Sequence, residues 1–471
     1  VLRKPGRVIG LVVVVFWVAM MGLMLYYEVV IPQSRRAAFS PPAFPQDVWM
    51  GLYMGEQRVG FFHTQSAPVI EDGVEGTRLR VLAQLRLSLF ARETELFVSG
   101  KAFRTHEGRA NFDFTLESGE QHMRVEGTAG GGRLDVNLHT AGEVLPFSFP
   151  ISDDIIFSMG LDFPLQQAYN LEPGDEVYVD AFDPVMMKVS RARIRAIRRE
   201  ALVLGEEVVE ALVVETTIGT FTTRAWIDDR GDVLQADTPL GFTLRKIEPS
   251  AAVMDLEGRR AGGDLVQEVS IAPEGIQPEE GIRAMAIRVG GVELDAFPPD
   301  EPGQFRDDDL IHIRPFMPVP GQTPGEPLSD EARTAALRSD PFVSSDHPTI
   351  VEKAREIVGD ETRPWQQAVL VNEWLYEELE KIPVISVPAA LDVLRTKQGD
   401  CNEHAVLFAA LTRALEIPTR IAIGLVWSNE LDAFGYHAWP EVFHPEFLHW
   451  IPMEPTLGQT MADATHIKLL N

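Results

Sequence analysis

The stretch LRTKQGDCNEHAVLFAALTRALEIPTR, residues 394–420, decides how the C-terminal part of this chain folds. It holds the only cysteine in 471 residues, set between an aspartate and an asparagine where an apolar run begins. Gly399 ends the short helix before it. Asp400 serves as N-cap with Glu403 three residues on, an acidic relative of the capping box, so Cys401 falls at the first helical position. A thiol there faces unpaired backbone N–H groups and the positive end of the helix dipole, which favour the thiolate and are expected to lower its pKa. The apolar run from Ala405 to Leu415 buries the rest of the helix and leaves its N-terminus as the working end. The competing expectation is an inert, buried cysteine that behaves as a small hydrophobe.

A nucleophilic thiol needs a base. Beyond the apolar strand TRIAIGLVW (419–427), GYHAWPEVF (435–443) alternates His437, Trp439, Glu441 and Phe443 on one face, which is the pattern of a strand presenting one imidazole. Pro440 within it removes one ladder N–H and points to an edge strand. LHWIPMEPTLG (448–458) is a further short strand, with Glu454 placed to accept a hydrogen bond from the second ring nitrogen of His437 and fix its tautomer. Upstream, residues 346–382 carry apolar positions at helical spacing, Ile350, Ala354, Ile357 and Val358, then Val369, Leu370, Trp374 and Leu375, so two helices precede the cysteine. SVPAALDVLRTKQGD (386–400) supplies one more short helix.

The rest of the chain has a different texture. Between residues 47 and 250 period-2 signals recur, with Leu79, Val81, Leu85, Leu87 and Leu89 on one parity and Arg78, Arg80, Gln84, Arg86 and Ser88 on the other. NFDFTLES puts Phe112, Phe114 and Leu116 on one face, and RLDVNLH does the same with Leu134, Val136 and Leu138. YMGEQRVGFF (53–62) reads as an opening hairpin, and residues 184–200 continue the alternation. An antiparallel β-rich domain is expected there. Its histidines, His63, His106, His122 and His139, are scattered and read as surface or satisfied side chains, because a metal site needs several converging ligands. Residues 251–340, rich in proline, glycine and acid, read as a connector with strands such as the one in GIRAMAIRVGGVEL (281–294).

Residues 8–27 hold twenty positions without a charge, preceded by Arg3, Lys4 and Arg7. At about 1.5 Å per residue they reach roughly 30 Å, the thickness of a bilayer core. The expectation is a transmembrane anchor over 8–30 with residues 1–7 in the cytoplasm, a proline-rich linker over 31–46, and everything beyond in the periplasm of a bacterial inner membrane. Acidic residues outnumber basic ones 70 to 42, a net charge of −28, so phosphate backbones repel the chain and nucleic acid is not an expected partner. One cysteine makes no intramolecular disulfide.

GDCNEHAVLFAALTRALEIPTRIAIGLVW, YHAWPEVF and HWIPMEPTLGQ together resemble the three motifs of the transglutaminase-like superfamily, over roughly residues 341–471. The resemblance implies a papain-like core with the cysteine on a helix N-terminus and the other two groups on adjacent strands, and hence an α+β chain: anchor, β-rich domain and papain-like C-terminal domain. It matches Cys401 to the nucleophile and His437 to the base, and Glu454 takes the position where the family usually carries aspartate. The extra methylene moves the carboxylate by about a bond length, where catalytic geometry tolerates about 0.5 Å. The implied chemistry is acyl transfer on a protein or peptide amide through a Cys401 thioester, without a cofactor, released by water or by an amine. Gln398 and Trp374 are candidate oxyanion donors beyond the Cys401 N–H. Two other classes stand beside it. One is a binding or scaffold module that keeps the fold without turnover. The other is a zinc site on Cys401, His404 and His437, whose C-x-x-H spacing lacks a second close ligand pair.

Overall fold

The computed structural model describes residues 45–471 except 90–91, 120, 141, 153–154, 158–170, 185–186, 205–206, 220, 240, 250–264, 276, 291–300, 316–323, 384–387 and 471. Of these residues 54% lie in strands and 17% in helices, so the expected α+β class is corrected to a mostly β one. The difference arises from the length of the strands in the first half, which reach 15 to 17 residues and in one case run on through Gly60 and Pro68. The expected anchor over residues 8–27 and most of the expected linker lie outside the described residues. Among the described residues no helix is long and apolar enough to cross a membrane. The longest, at 15 residues, spans only about 22 Å. The expected single-pass inner-membrane placement, with its periplasmic bulk, is therefore corrected as having no support in the structure.

Among the described residues fifteen strands between Gln46 and Lys246 form one sheet: the first eight, ending with β8 (Glu143–Pro150), lie in chain order from the middle to one edge, and the other seven, beginning with β9 (Ile155–Phe157), lie in chain order from the opposite edge back to the first strand. The chain meanders outward from β1 (Gln46–Met54), and its second half meanders back to pair β15 (Phe242–Lys246) with β1, Leu52 opposite Leu244. The first hairpin is the one anticipated: β1 ends at Met54 and β2 (Gln57–Glu71) follows a two-residue turn. Alternation governs burial as expected. In β5 (Ala110–Ser118) Phe112, Phe114 and Leu116 are buried, and in β7 (Arg133–Thr140) Leu134, Val136 and Leu138 are, with their neighbours turned outward. These side chains share a core with Ile155, Phe182 and Met187 from the far end of the sheet. The two ends of the sheet thus share one core, where the Phe149 and Phe182 rings stand 5.8 Å apart, and Arg104 donates to the Ile155 carbonyl at 2.9 Å.

Within the expected connector, β16 (Met285–Arg288), β17 (Gln304–Asp307) and β18 (Leu310–Ile313) form a small antiparallel sheet with β18 in the middle. Ile311 and Ile313 pack with Trp427, Phe434 and Ile467, which ties this sheet to the C-terminal region.

The helices gather after residue 330: α2 (Asp330–Leu337), α3 (Pro348–Val358), α4 (Pro364–Glu378), α5 (Ala390–Thr396) and α6 (Cys401–Ala414), following the single turn α1 (Leu265–Val269). Leu407, Phe408, Ala409, Ala410 and Leu411 of α6 are fully buried among α3, α4 and α5. This explains why α6 is apolar on most of its circumference. Its other flank lies on a four-stranded antiparallel sheet ordered β23 (His449–Pro452), β22 (Ala433–His444), β21 (Thr419–Ser428) and β24 (His466–Leu470). β22 is therefore an inner strand, not the edge strand that Pro440 suggested. Pro440 sits just past the end of β23, where the ladder already stops, and its carbonyl accepts from Met453 N–H at 2.8 Å.

Candidate active site

The start of α6 is built as its residues dictate. Asp400 Oδ1 accepts from Asn402 N–H at 3.0 Å and Glu403 Oε2 accepts from Asp400 N–H at 3.0 Å, a complete capping box with Cys401 as the first helical residue. Gly399 has a different task from the one anticipated. The preceding helix α5 already ends at Lys397 in the left-handed conformation, and a Cβ on Gly399 would lie 2.2 Å from Glu403 Cβ. Glycine is needed there so that the capping glutamate can fold back over the chain. The approach to the cysteine is pinned by a two-strand parallel ladder, Glu380 and Lys381 against Gln398 and Gly399.

Cys401 is 9% exposed and packs with Ala405 of its own helix and Ala438 of β22, the residue after His437. Burial pushes its thiol well above the ordinary value, and Asp400 adds to this, while the Ala438 N–H works in the opposite direction. The expected lowering by the helix terminus is corrected: desolvation and nearby acid outweigh it. Tyr436 Oη donates to Asn402 Oδ1 at 3.0 Å, a second tie between β22 and the start of α6.

His437 and Glu454 come together. His437 Nε2–H donates to Glu454 Oε2 at 2.6 Å, and both side chains are buried. The ring tautomer follows from this bond, and Nδ1 has no hydrogen bond among the described residues. Glu454 Oε1 accepts from Thr456 N–H at 2.9 Å and Leu457 N–H at 3.1 Å. Burial alone would raise this carboxyl; the charge and hydrogen bond of His437, with His466, hold it well below the usual carboxylate range.

His466 is the residue that the sequence did not yield. Its Nε2–H donates to the same oxygen, Glu454 Oε2, at 3.1 Å, and its Nδ1 lies 3.4 Å from Asp463 Oδ1. Burial would depress its pKa, but the bonds to Asp463 and Glu454 push it up to about 9, so the ring is an imidazolium at neutral pH. Asp463 is held in turn by Gly281 N–H at 2.7 Å. Trp439 stands edge-on to His466 with ring centroids 5.1 Å apart. The only sequence signal was two polar residues, His466 and Lys468, on one parity of the terminal strand.

His437, Glu454 and His466 are also close enough together to raise the question of a metal. Both rings turn Nε2 to Glu454 Oε2, at 2.6 Å and 3.1 Å, so the cluster as placed is a hydrogen-bonded chain. His404 turns elsewhere, with Nδ1 2.7 Å from the Asp400 carbonyl. Of the candidate oxyanion donors, Gln398 Nε2 reaches toward Glu380 at 3.4 Å and Trp374 lies under the ammonium groups of Lys353 and Lys397. Cys401 N–H, at the first helical position, has no intrahelical acceptor.

Residues 351–455 match the family model of the transglutaminase-like superfamily. No curated protein matches the chain. Four solved chains do. One, described as "a Putative Cysteine Protease from Cytophaga hutchinsonii", has 17% identity over 43% of this chain and 72% of its own, with a TM-score of 0.27. A DUF1089 family protein from Pseudomonas aeruginosa has 17% identity over 37% of this chain and 89% of its own, with a TM-score of 0.24. A third, described as "a Putative Protease from Parabacteroides distasonis", has 11% identity over 81% of this chain and 70% of its own, with a TM-score of 0.23. At these scores the structural likenesses carry no argument for the present chain.

Proposed function

We propose that this chain, whose residues 351–455 form a transglutaminase-like superfamily domain, is a thiol enzyme that acts on protein or peptide amides through Cys401, His437 and Glu454. The observation that carries the proposal is the buried 2.6 Å bond from His437 to Glu454 on the strand whose next residue, Ala438, packs on Cys401. Because burial keeps the Cys401 thiol protonated at rest, His437 acts as general base during attack and not as half of a preformed ion pair.

The steps balance as follows. Cys401 Sγ–H gives its proton to His437 Nδ1 while sulfur bonds to the amide carbonyl carbon, and the oxygen takes up the electron pair beside the Cys401 N–H. Glu454 stabilises the imidazolium so formed. The oxyanion collapses, the C–N bond breaks, and His437 returns the proton to the leaving amine, leaving a thioester. Water or a second amine then gives a proton to His437 and bonds to the carbonyl carbon. The C–S bond breaks and the thiolate recovers the proton. Hydrolysis makes the chain a peptidase or amidase, and aminolysis makes it a crosslinking enzyme.

The division of the chain at 47–250, 251–340 and 341–471 belongs to the same proposal, supported by separate apolar cores in the first and last of these segments. The burial of Cys401 favours one alternative, a transglutaminase-like binding or scaffold module without turnover. Intact-mass detection of an acyl adduct on Cys401, after incubation with activated glutamine- or alanine-peptide esters, tests between them. An adduct that forms in the wild type and not in His437→Ala supports the enzyme, and its absence from both supports the module.

A further inference from the structure

We propose that His466 is a positioning residue of this site: it shares Glu454 Oε2 with His437, and thereby fixes the longer carboxylate against the imidazole of His437. The inference deepens the function proposed above and rests on it.

The geometry comes first. Glu454 carries one methylene more than the family's usual aspartate, so its carboxylate has an additional torsion to fix. The structure fixes it from both sides, with two backbone N–H groups on Oε1 and two imidazoles on Oε2. His466 is delivered by a close approach of strands. Gly424 of β21 lies opposite His437 on one side and Lys468 on the other, and a Cβ at Gly424 would fall 1.9 Å from the Ile467 carbonyl. Only glycine lets β24 come this near, and His466 then fills the space beside Trp439 and His437, its ring centroid 5.5 Å from that of His437.

The electrostatic consequence follows. Beside His437 stand Glu454 from the turn after β23 and His466 from β24; Glu441 lies along its own strand, and Cys401 and His404 of α6 are within electrostatic reach of Glu454. Asp463 is reached through His466. Glu441 is engaged with Arg420 at 2.6 Å and Lys468 at 3.1 Å. A cationic His466 on the same oxygen offsets part of the carboxylate's charge while leaving its hydrogen bond to His437 in place.

The test uses the full chain and two independent readouts: NMR titration of the histidine rings and the pH profile of Cys401 alkylation by iodoacetamide. His466→Gln keeps an N–H donor but removes the charge. The expected result is that the His437 ring resonances move and the pH profile of alkylation changes, because the carboxylate is no longer held from both sides by charged and hydrogen-bonded groups. Unmoved His437 resonances with an unchanged profile in a folded His466→Gln protein overturn the inference. Should that variant not fold, the wild type decides, because His466 must carry protons on both ring nitrogens at pH 7, and a neutral ring overturns the inference. His437→Ala tests the underlying function separately: unchanged alkylation there defeats the thiol–base pair, whereas unmoved His437 resonances in His466→Gln defeat only the role of His466.

Discussion

Glu454 Oε2 lies 2.6 Å from His437 Nε2 although the side chain is one methylene longer than an aspartate. The added length is taken up by the turn that follows, where Thr456 N–H and Leu457 N–H hold the other oxygen, and by the backbone pairing of Glu454 with Gln459. Glu454→Asp is therefore expected to harm the site. A shorter side chain keeps either the turn or the imidazole, not both. A misplacement of about 1 Å costs roughly a hundredfold in positioned chemistry, and acylation of Cys401 by an activated ester should fall by tenfold or more. A gain would show that the turn does not hold the carboxylate.

Stability should decline on the alkaline side. His466 is raised to about 9 in the folded protein against an ordinary 6.5, so it binds its proton more tightly folded than unfolded. Its contribution is fully present below about 6.5 and is lost as pH rises through about 9. Cys401, also raised, adds a loss in the same direction above its ordinary value. Glu454 acts oppositely: held below the usual range, it contributes above its ordinary pKa and is lost only in acid. Urea unfolding of the C-terminal helices and sheet should show a lower midpoint at pH 9.5 than at pH 6.5, and His466→Gln should flatten that difference.

Gly424→Ala places a methyl 1.9 Å from the Ile467 carbonyl and 2.9 Å from the Trp439 ring. Overpacking of this kind costs about 1–3 kcal/mol, and because the backbone of β24 is what must move, His466 moves with it. A reduced melting temperature together with an altered alkylation profile is expected. A stability loss without any change in alkylation would separate β24 from the site.

The cap of α6 gives a local test. Asp400→Ala removes the acceptor for Asn402 N–H and the acidic neighbour of Cys401. Loss of an N-cap costs about 1 kcal/mol. Removing the nearby charge should make the thiol more acidic, so thiol titration should shift down even as stability drops. An upward shift would contradict the assignment of Asp400 as a cause of the raised thiol.

What was legible in the sequence was local. Asp400 and Glu403 stand three residues apart and announce a helix start, and Phe112, Phe114 and Leu116 announce a buried strand face, because these patterns depend on near neighbours alone. The lengths of the strands were not legible because β2 runs on through Gly60 and Pro68, residues that ordinarily end a strand. Residues 304–313 hid a hairpin under their acidic composition. His466 was out of reach for a further reason: its role depends on β24 lying beside β21 and not beside β23, a matter of sheet order. The helix dipole at Cys401 was legible, and the burial that outweighs it stood beside it as the competing expectation of a buried cysteine.

The decisive experiment exploits the single thiol. Alkylation of Cys401 is followed against pH in the folded wild type and in His437→Ala, and no other cysteine can contribute. If His437 receives the thiol proton, the wild-type rate rises along a limb set by one imidazole and falls at least about tenfold at neutral pH in the variant, within the usual range for a general base. Identical profiles, or a thiol that reacts only when the protein unfolds, would contradict the pairing of Cys401 with His437 and leave a domain that binds without turnover.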